Sequence, residues 1–464
     1  MKRIILSLIL IATCNLYAQD SLSTISLAEY LGYVKSFHPI VKQANLILTE
    51  SEAKLLKSRG AFDPKLDVDY GRKKFKGTEY YDKLNASFKI PTWYGIELKG
   101  NFEENTGQYL NPESNVPIDG LYSAGVSVSL AKGLLINERM ATLKQAKLFV
   151  NQAKADRTLL VNDIVFQASV SYFEWLKSFN EKRIYESFLD NAQERLDGIK
   201  TSFEVGERPA IDTVEARITL NTRRLNLEKA RIKYIKATLE LSNYLWLNEN
   251  TPIELKDNII PDISTIDHID EIFKTSDLNI ESINLEEHPK MLSLQNKYKS
   301  LEVEKRLKTN NLLPKIDLQY NFLSQTPDQI NTFNTANYKS YVNVSFPLFL
   351  RKERGDLQLA KMKLQNTNLD ISATRVTLQN KINAVNQEIE SYDVQTMHTS
   401  EIISDYKIML NAEERKFSLG ESSLFLVNSR ESKLIDAELK GVSIEYDLLQ
   451  TKARLSNILA SEID

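Results

Sequence analysis

Cysteine is nearly absent from this 464-residue sequence, in which Cys14 is the single example. A mature chain without Cys14 can form no internal disulfide bond and no cysteine-ligated metal site. Histidine is also scarce, and His38, His268, His288 and His398 have no spacing that would gather metal ligands. Two of these histidines precede a proline where a helix is predicted to begin, so we interpret them as structural residues.

Glycine is infrequent as well, and the 15 glycines form neither a phosphate-binding loop nor a nucleophile elbow. The formal net charge is −3, and acidic and basic residues are interspersed along the chain. This pattern argues against a nucleic-acid partner. We therefore predict no catalytic residue, no cofactor and no metal site, and we expect the protein not to be an enzyme.

Long apolar runs are missing beyond the N-terminus. Residues 1–18 have a basic start, an apolar core and a small-residue end at Ala18, which is the layout of a secretory signal peptide. We favour cleavage after Ala18 over lipidation of Cys14, because Thr13 is an unusual residue before a lipidated cysteine. No later run approaches the roughly 20 apolar residues that a membrane-spanning helix needs. If the mature chain crosses a membrane, it does so by strands.

Proline and glycine are both missing from the 64 residues between Asp356 and Leu419. Such a composition predicts one very long helix, about 95 Å at 1.5 Å per residue. Two apolar seams with a seven-residue period predict a left-handed supercoil with another long helix. The pattern stops at Gly420, and the proline-free stretch from Leu424 to Ile463 completes a helical hairpin with the glycine at its tip. The seams are Leu357, Leu364, Ile371, Leu378, Val385, Tyr392, Thr399 and Tyr406, and Ile382, Ile389, Thr396, Ile403, Leu410 and Phe417.

An internal duplication covers the whole mature chain, and the matching pairs keep the same order in both copies. Their offset falls from 250 to about 215 residues, which places about 34 extra residues in the first copy, between Tyr70 and Val126. The pairs are His38-Pro39 with His288-Pro289, Pro64-Lys65 with Pro314-Lys315, Val128-Ser129 with Val344-Ser345, Glu138-Arg139 with Glu353-Arg354, Phe203 and Gly206 with Phe417 and Gly420, and Leu241-Ser242-Asn243 with Leu455-Ser456-Asn457.

Each copy is predicted to contain a helix, strands, a very long helix, a glycine tip and a return helix. The first repeat spans residues 19–248, with a helix at 26–60, strands at 64–131 and a long helical hairpin at 134–248. A partly helical connector follows at 249–287. The second repeat spans residues 288–464, with a helix at 289–311, strands at 314–348 and a long helical hairpin at 353–463.

Six segments alternate strictly between apolar and polar residues, as strands with two unlike faces do. Alternation alone is equally compatible with a half-buried sheet on a soluble core. Aromatic residues near the strand ends favour a membrane barrel, since such girdles mark outer-membrane barrels. The apolar positions include Leu66, Val68, Tyr70, Leu84, Phe88, Ile90, Ile96, Leu98, Phe102, Val126, Val128, Leu130, Ile316, Leu318, Tyr320, Phe322, Val342 and Val344, and the aromatic residues are Tyr80, Tyr81, Trp93, Tyr94, Tyr109, Tyr122, Tyr338 and Tyr341.

The segment from Ser202 to Arg208, with Asp212 and the small residues after it, resembles the hairpin tip of the TolC-like outer-membrane efflux proteins. The second copy keeps Phe417, Gly420 and Leu434 but lacks the acid. The two His-Pro pairs and Phe62-Asp63-Pro64 are also similar to landmarks of that family. The resemblance covers residues 25–462, and its most specific feature is the duplicated order of elements.

The resemblance implies a homotrimer in the outer membrane whose chains share one transmembrane β-barrel. An α-helical barrel of long antiparallel coiled-coil hairpins continues the barrel into the periplasm. The resemblance further implies a passive channel that works with a periplasmic adaptor (membrane fusion) protein and an inner-membrane pump in a tripartite efflux or export system. The alternative is a periplasmic coiled-coil adaptor or structural tether without a pore. A tether would explain the signal peptide and the hairpins but not the duplicated strands.

The resemblance also assigns roles to residues at the two tips. Gly206 and Gly420 act as helix C-caps in any case, and Asp212 and Glu215 are as well explained by favouring a helix N-terminus. The family has acids on the return helix after the second tip, where this chain has Leu426 and Ser429. We therefore expect a mainly apolar gate with a weakened cation site. The expected adaptor contacts are Phe203, Gly206, Glu207, Arg208, Phe417, Gly420 and Glu421, and the expected pore entrance is Asp212, Glu215, Leu426 and Ser429.

The extra residues of the first copy predict one additional hairpin, with strands at about Tyr81 to Ile90 and Ile96 to Asn105. Its alternation suits insertion into the wall, which gives six strands per chain and an 18-stranded barrel rather than the 12 strands usual in the family. The alternative is that this hairpin lies outside the barrel.

Overall fold

The computed structural model describes residues 23–256, 258–275 and 283–460. The predicted signal peptide and Cys14 lie outside these residues. The described helices and strands, in chain order, are β1 (Ser23–Ile25), α1 (Leu27–Phe37), α2 (Pro39–Arg59), β2 (Lys65–Phe75), β3 (Thr78–Pro91), β4 (Ile96–Thr106), β5 (Leu121–Ala131), α3 (Glu138–Glu204), α4 (Ala210–Ser242), β6 (Ile259–Pro261), α5 (Thr265–Ile272), α6 (Pro289–Asn310), β7 (Lys315–Ser324), β8 (Tyr338–Ser345), α7 (Arg351–Ser418) and α8 (Leu424–Leu459).

The chain divides into two compact units. The helical unit comprises Met1–Ala44, Thr158–Leu285 and Thr377–Asp464, and the sheet unit comprises Asn45–Arg157 and Glu286–Val376. No helix within the described ranges is both long and apolar enough to cross a membrane.

The sheet unit holds one antiparallel sheet in the order β2-β3-β4-β5-β7-β8. Its register brings apolar residues opposite one another, for example Leu98 with Val126 and Val128 with Leu318. Because side chains alternate along each strand, the whole sheet has one apolar and one polar face. Both terminal strands are exposed on the apolar face, where Leu66 is 69 % and Val344 63 % accessible to solvent.

The extra hairpin of the first repeat consists of β3 and β4 and lies inside this sheet. Strand β2 pairs with β3, and β4 pairs with β5, so the hairpin connects β2 to the remaining strands. Within one chain, the hairpin is thus a continuous part of the sheet rather than an appendage beside it.

The long helices α3 and α7 contain 67 and 68 residues. Helix α7 begins before the proline-free and glycine-free stretch and includes Gly355, since a single glycine in a helix costs only about 1 kcal/mol relative to alanine. In the helical unit, one apolar cluster joins α3, α7 and α8 through Phe188, Leu410 and Leu434.

The helix predicted at residues 26–60 is in fact two helices that meet at His38. The ψ angle of His38 is 133°, because the residue before a proline is driven out of the helical region. His288 has the same backbone angles before α6. Each imidazole Nδ1 accepts a hydrogen bond from the backbone N–H two residues later, Ile40 (3.2 Å) or Lys290 (3.1 Å). Both histidines are therefore helix caps.

The connector contains the expected helical segment, α5, and also a strand that the sequence analysis missed. Strand β6 pairs in parallel with β1, and both are too short for an alternating pattern. They lie beside an aromatic core that includes Tyr172 and Trp175, both fully buried. Burial raises the pKa of the Tyr172 hydroxyl to about 12, and this hydroxyl donates to the Ile25 carbonyl oxygen at 2.8 Å. The hydrogen bond of Tyr172 thereby connects strand β1 to helix α3.

Candidate functional site at the hairpin tips

Each helical hairpin turns at a glycine with a left-handed backbone. The φ angles are +80° at Gly206 and +77° at Gly420, a conformation that favours glycine because it has no Cβ. In both tips, the residue after the glycine donates its N–H five residues back, from Glu207 to Ser202 (2.9 Å) and from Glu421 to Lys416 (2.9 Å). This is the Schellman pattern that satisfies the last carbonyl groups of a helix. The duplication therefore extends to the hydrogen bonds of the two turns.

The two tips lie side by side because Arg208 of the first contacts Phe417 of the second. The guanidinium group stands 4.1 Å from the centroid of the Phe417 ring, and Nη2 donates to the Phe417 carbonyl oxygen at 3.1 Å. This combination of a cation–π contact and a hydrogen bond connects the two hairpins at their turns. Arg208 and Phe417, predicted separately as tip residues, thus form one contact.

The acids predicted at the pore entrance both have partners. Asp212 Oδ2 lies 3.9 Å from Arg208 Nη1, and Glu215 Oε1 accepts a hydrogen bond from Asn428 Nδ2 at 3.0 Å. Asp212 is the acidic residue in the first turn of α4, a position that the helix dipole favours. Its charge is therefore partly compensated within the same chain.

The remaining tip positions differ in exposure. Leu426 is 40 % and Phe203 44 % exposed, while Ser429 is half-buried. Other apolar residues around the turns are more exposed still, and four of them reach 66–67 %. These four are Val205, Ile211, Leu419 and Phe425. The tips thus present apolar side chains to their surroundings at the level of the turns.

Above the tips, a cluster of charged residues lies inside the helical unit. Glu431 is fully buried, and its two carboxylate oxygens accept hydrogen bonds from Arg195 (3.0 Å) and Arg223 (3.2 Å). Arg195 also contacts Glu414 at 3.0 Å, and Arg223 donates to the Ser432 hydroxyl at 3.2 Å. These residues come from α3, α4, α7 and α8, so one network joins all four helices, with a buried centre at Glu431 and an exposed end at Glu414.

The sequence analysis did not identify this cluster. Its signal is present in α8, where Leu424, Val427, Glu431 and Leu434 follow one apolar seam and the glutamate occupies a core position. Arg223 interrupts the seam of α4 in the same way, between Leu220 and Ala230. A charge at a core position indicates a buried partner, since an unpaired buried charge is strongly destabilising.

The described residues contain no group of three or more His, Cys, Asp or Glu side chains that could hold a metal ion. The polar face of the sheet carries carboxylates that accept hydrogen bonds from neighbouring strands. Lys89 donates to Asp67 at 2.9 Å, and the Ser129 hydroxyl donates to Asp317 at 2.8 Å.

Residues 282–461 match the sequence model of the family described as outer membrane efflux protein. No curated protein matches the sequence. Solved structures match the fold at low sequence identity. The Campylobacter jejuni CmeC outer membrane channel has a TM-score of 0.64 at 15 % identity, with 94 % of this chain and 87 % of that chain covered.

Two further solved structures agree. The outer membrane protein VceC from Vibrio cholerae has a TM-score of 0.65 at 11 % identity, with 94 % of this chain and 97 % of that chain covered. The open state of the Neisseria gonorrhoeae MtrE outer membrane channel has a TM-score of 0.65 at 13 % identity, with 94 % and 88 % covered. The resemblance predicted from the sequence is thereby confirmed: this chain resembles the TolC-like outer-membrane efflux proteins, in sequence over residues 282–461 and in fold over 94 % of its length.

Proposed function

We propose that this protein is an outer-membrane efflux channel, a passive conduit from the periplasm to the outside. The observation that carries the proposal is the six-stranded sheet with one apolar and one polar face. The apolar face is exposed along both terminal strands, at Leu66, Val68, Val342 and Val344. A soluble protein buries such a face, whereas a membrane strand presents it to lipid.

The sheet also has free edges within the chain, since β2 and β8 each pair with a single neighbour among the described strands. Lipid does not tolerate unpaired backbone N–H and C=O groups, so the edges need further copies of the chain. Three copies would close an 18-stranded barrel with the polar face toward a lumen. A homotrimer is therefore the assembly that we propose.

A tether without a pore is the second candidate, and it fits the helical hairpins. It does not explain why Leu66 and Val344 stay exposed on a continuous amphipathic sheet.

The proposed partners are outer-membrane lipid around the sheet and a periplasmic adaptor at the tips, where the exposed Phe203 and Phe425 offer apolar contacts. The proposed energy source is an inner-membrane pump, because a passive conduit supplies no energy of its own.

Fractionation combined with light scattering tests this proposal. We expect the protein to stay in the outer-membrane fraction after a salt and carbonate wash, and the detergent-extracted protein to weigh about three chains. Release of the protein by the carbonate wash, or a stable monomer with full helicity, would contradict the proposal and favour the tether.

A further inference from the structure

The short segment between β8 and α7, residues 346–350, extends the apolar face of the sheet beyond its last strand. Apolar residues continue at every second position after the strand ends, and all of them are exposed. Leu348, at 86 %, is more accessible than any apolar residue of β8. The face that we propose to meet lipid therefore continues to the start of α7. The row consists of Val342, Val344, Phe346 and Leu348.

Basic residues follow this apolar row directly. Helix α7 opens with Arg351 and Lys352, and Arg354 lies in the same turn. All three are exposed, and none forms an ion pair within the part of the chain that the structure describes, while the one acid of the turn, Glu353, is half-buried. The guanidinium group of Arg351 stands 5.2 Å from the centroid of the Phe349 ring, so the basic and the apolar parts are in contact.

These charges do not help the helix to form. The N-terminus of a helix is the positive end of its dipole and favours acids or capping side chains. The matching junction of the first repeat follows that rule. An offset of 215 places Ile136 and Asn137 at the positions of Arg351 and Lys352, and Asn137 Oδ1 accepts a hydrogen bond from the Met140 backbone N–H at 2.9 Å. A local rule that is broken in only one of two copies indicates a function of that copy.

We propose that residues 346–354 form a binding site for an anionic phospholipid at the periplasmic boundary of the membrane. The inference rests on the channel proposed above, in which the apolar face meets lipid and the long helices lie in the periplasm. The three basic side chains bind the headgroup phosphate, because guanidinium and ammonium groups donate charge-assisted hydrogen bonds to its oxygens. Phe346 and Leu348 contact the acyl chains, and Phe349 lies at the boundary, where aromatic side chains of membrane proteins gather.

The charge of the site selects among phospholipids. A zwitterionic headgroup carries an ammonium group that cancels the charge of its phosphate. Three exposed cations without ion-pair partners therefore favour a lipid with a net negative charge, as basic clusters beside a membrane do. The site thus distinguishes an anionic phospholipid from the bulk of neutral lipid around the sheet.

Lipid retention by the purified full-length protein tests the inference. The detergent-extracted protein is incubated with equal amounts of phosphatidylglycerol and phosphatidylcholine, and native mass spectrometry gives the ratio of the two lipids that remain bound. We expect the protein to retain phosphatidylglycerol preferentially, and less so at high salt. Arg351→Gln combined with Lys352→Gln should lower this preference by up to about 25-fold, because each basic residue near anionic lipid contributes a factor of about five.

Two controls separate the site from net charge and from folding. Lys361→Gln combined with Lys381→Gln removes the same charge from two exposed lysines of the same helix and should leave the preference unchanged. Arg351→Lys combined with Lys352→Arg keeps both charges and should retain most of the preference. Excess inorganic phosphate should not displace the lipid, since it offers nothing to Phe346 and Leu348.

Several results would overturn the inference and leave the proposed channel standing. These are an unchanged preference in the Arg351→Gln, Lys352→Gln variant, an equal loss in the Lys361→Gln, Lys381→Gln control, and full displacement of the lipid by inorganic phosphate. A trimer that falls apart in the first variant would also overturn it, because residues 346–354 would then be a contact between copies. A protein that never enters the outer-membrane fraction would defeat both proposals.

Discussion

At the scale of single residues, we expect the buried charge of Glu431 to be important for stability. Its carboxylate lies between Arg195 and Arg223 in the interior of the helical unit. Removing one partner of such a cluster leaves the other charges desolvated and uncompensated. Glu431 is the carboxylate that the two arginines share, while Arg195 also contacts Glu414.

We expect Glu431→Gln to lower the free energy of unfolding by about 3–5 kcal/mol. Chemical denaturation followed by circular dichroism in detergent measures the change. The matched control is Glu414→Gln, because Glu414 contacts the same Arg195 but its side chain is 44 % exposed. The control should cost no more than about 1 kcal/mol. Equal losses for both variants would show that burial does not set the energy of this cluster.

Glu445 should make stability depend on pH. Burial, with a smaller contribution from the charge of Asp267, raises the pKa of the Glu445 carboxyl above its usual 4.5. The folded state therefore binds this proton more tightly than the unfolded state, and stability falls as pH rises through the folded pKa. We expect Glu445→Gln to raise the melting temperature at pH 7 and to leave it unchanged below pH 4.5. A lower melting temperature at pH 7 would refute this assignment.

Leu426 should control conductance at the entrance. Three-fold symmetry would direct three Leu426 side chains toward the axis, and an apolar constriction blocks ions by dewetting. We expect Leu426→Ser to raise the conductance of a planar bilayer, while the control Phe425→Ser does not. Asp212→Ala should lower cation selectivity without opening the pore. The loss of selectivity should be small, because Arg208 already compensates part of the charge of Asp212. Unchanged conductance of the leucine variant would instead indicate closure by packing between hairpins.

At the scale of elements, the sequence predicts regular patterns well. A period of seven and a strict alternation are local signals, and they give the long helices, the tip glycines and the six strands without any knowledge of contacts. The break at His38 also has a local signal in Pro39, because a residue before proline avoids the helical region. His38 is thus correctly predicted at a helix start, whereas the prediction of one unbroken helix at 26–60 is wrong.

The pairing of β1 with β6 has no such signal. Both strands have three residues, and their register joins Ser23 to Ile259 across more than 230 residues of sequence. The cluster around Glu431 is not predicted from the sequence either, because Arg195 and Glu431 become neighbours only when two hairpins pack together. Contacts between distant elements depend on tertiary structure, and a single sequence does not display them.

The clearest prediction about an element concerns the position of the extra hairpin formed by β3 and β4. If it lies in the barrel wall, cysteines at Phe88 and Leu98 face lipid, and we expect Phe88→Cys and Leu98→Cys to react with a lipid-soluble reagent. The adjacent Lys89→Cys and Lys99→Cys lie on the polar face and should react only with a water-soluble reagent. Reaction of all four from water alone would mean that the 18-stranded barrel is wrong.

At the scale of the whole molecule, the fold and the sequence of residues 282–461 support the same resemblance. The tip residues and the entrance residues remain predictions, because adaptor contact and pore lining are properties of an assembly. The contact between Arg208 and Phe417 and the partners of Asp212 and Glu215, in contrast, are properties of the single chain. These contacts decide which charges remain free at the proposed entrance.

The conductance of the purified full-length protein in a planar bilayer tests the proposed channel most directly. We expect discrete conductance steps without any added energy source, because a passive conduit needs none. Mean conductance should rise when Leu426 is replaced by serine. A protein that inserts into the bilayer as a trimer, yet gives no steps with either leucine or serine at position 426, would contradict a pore through this molecule.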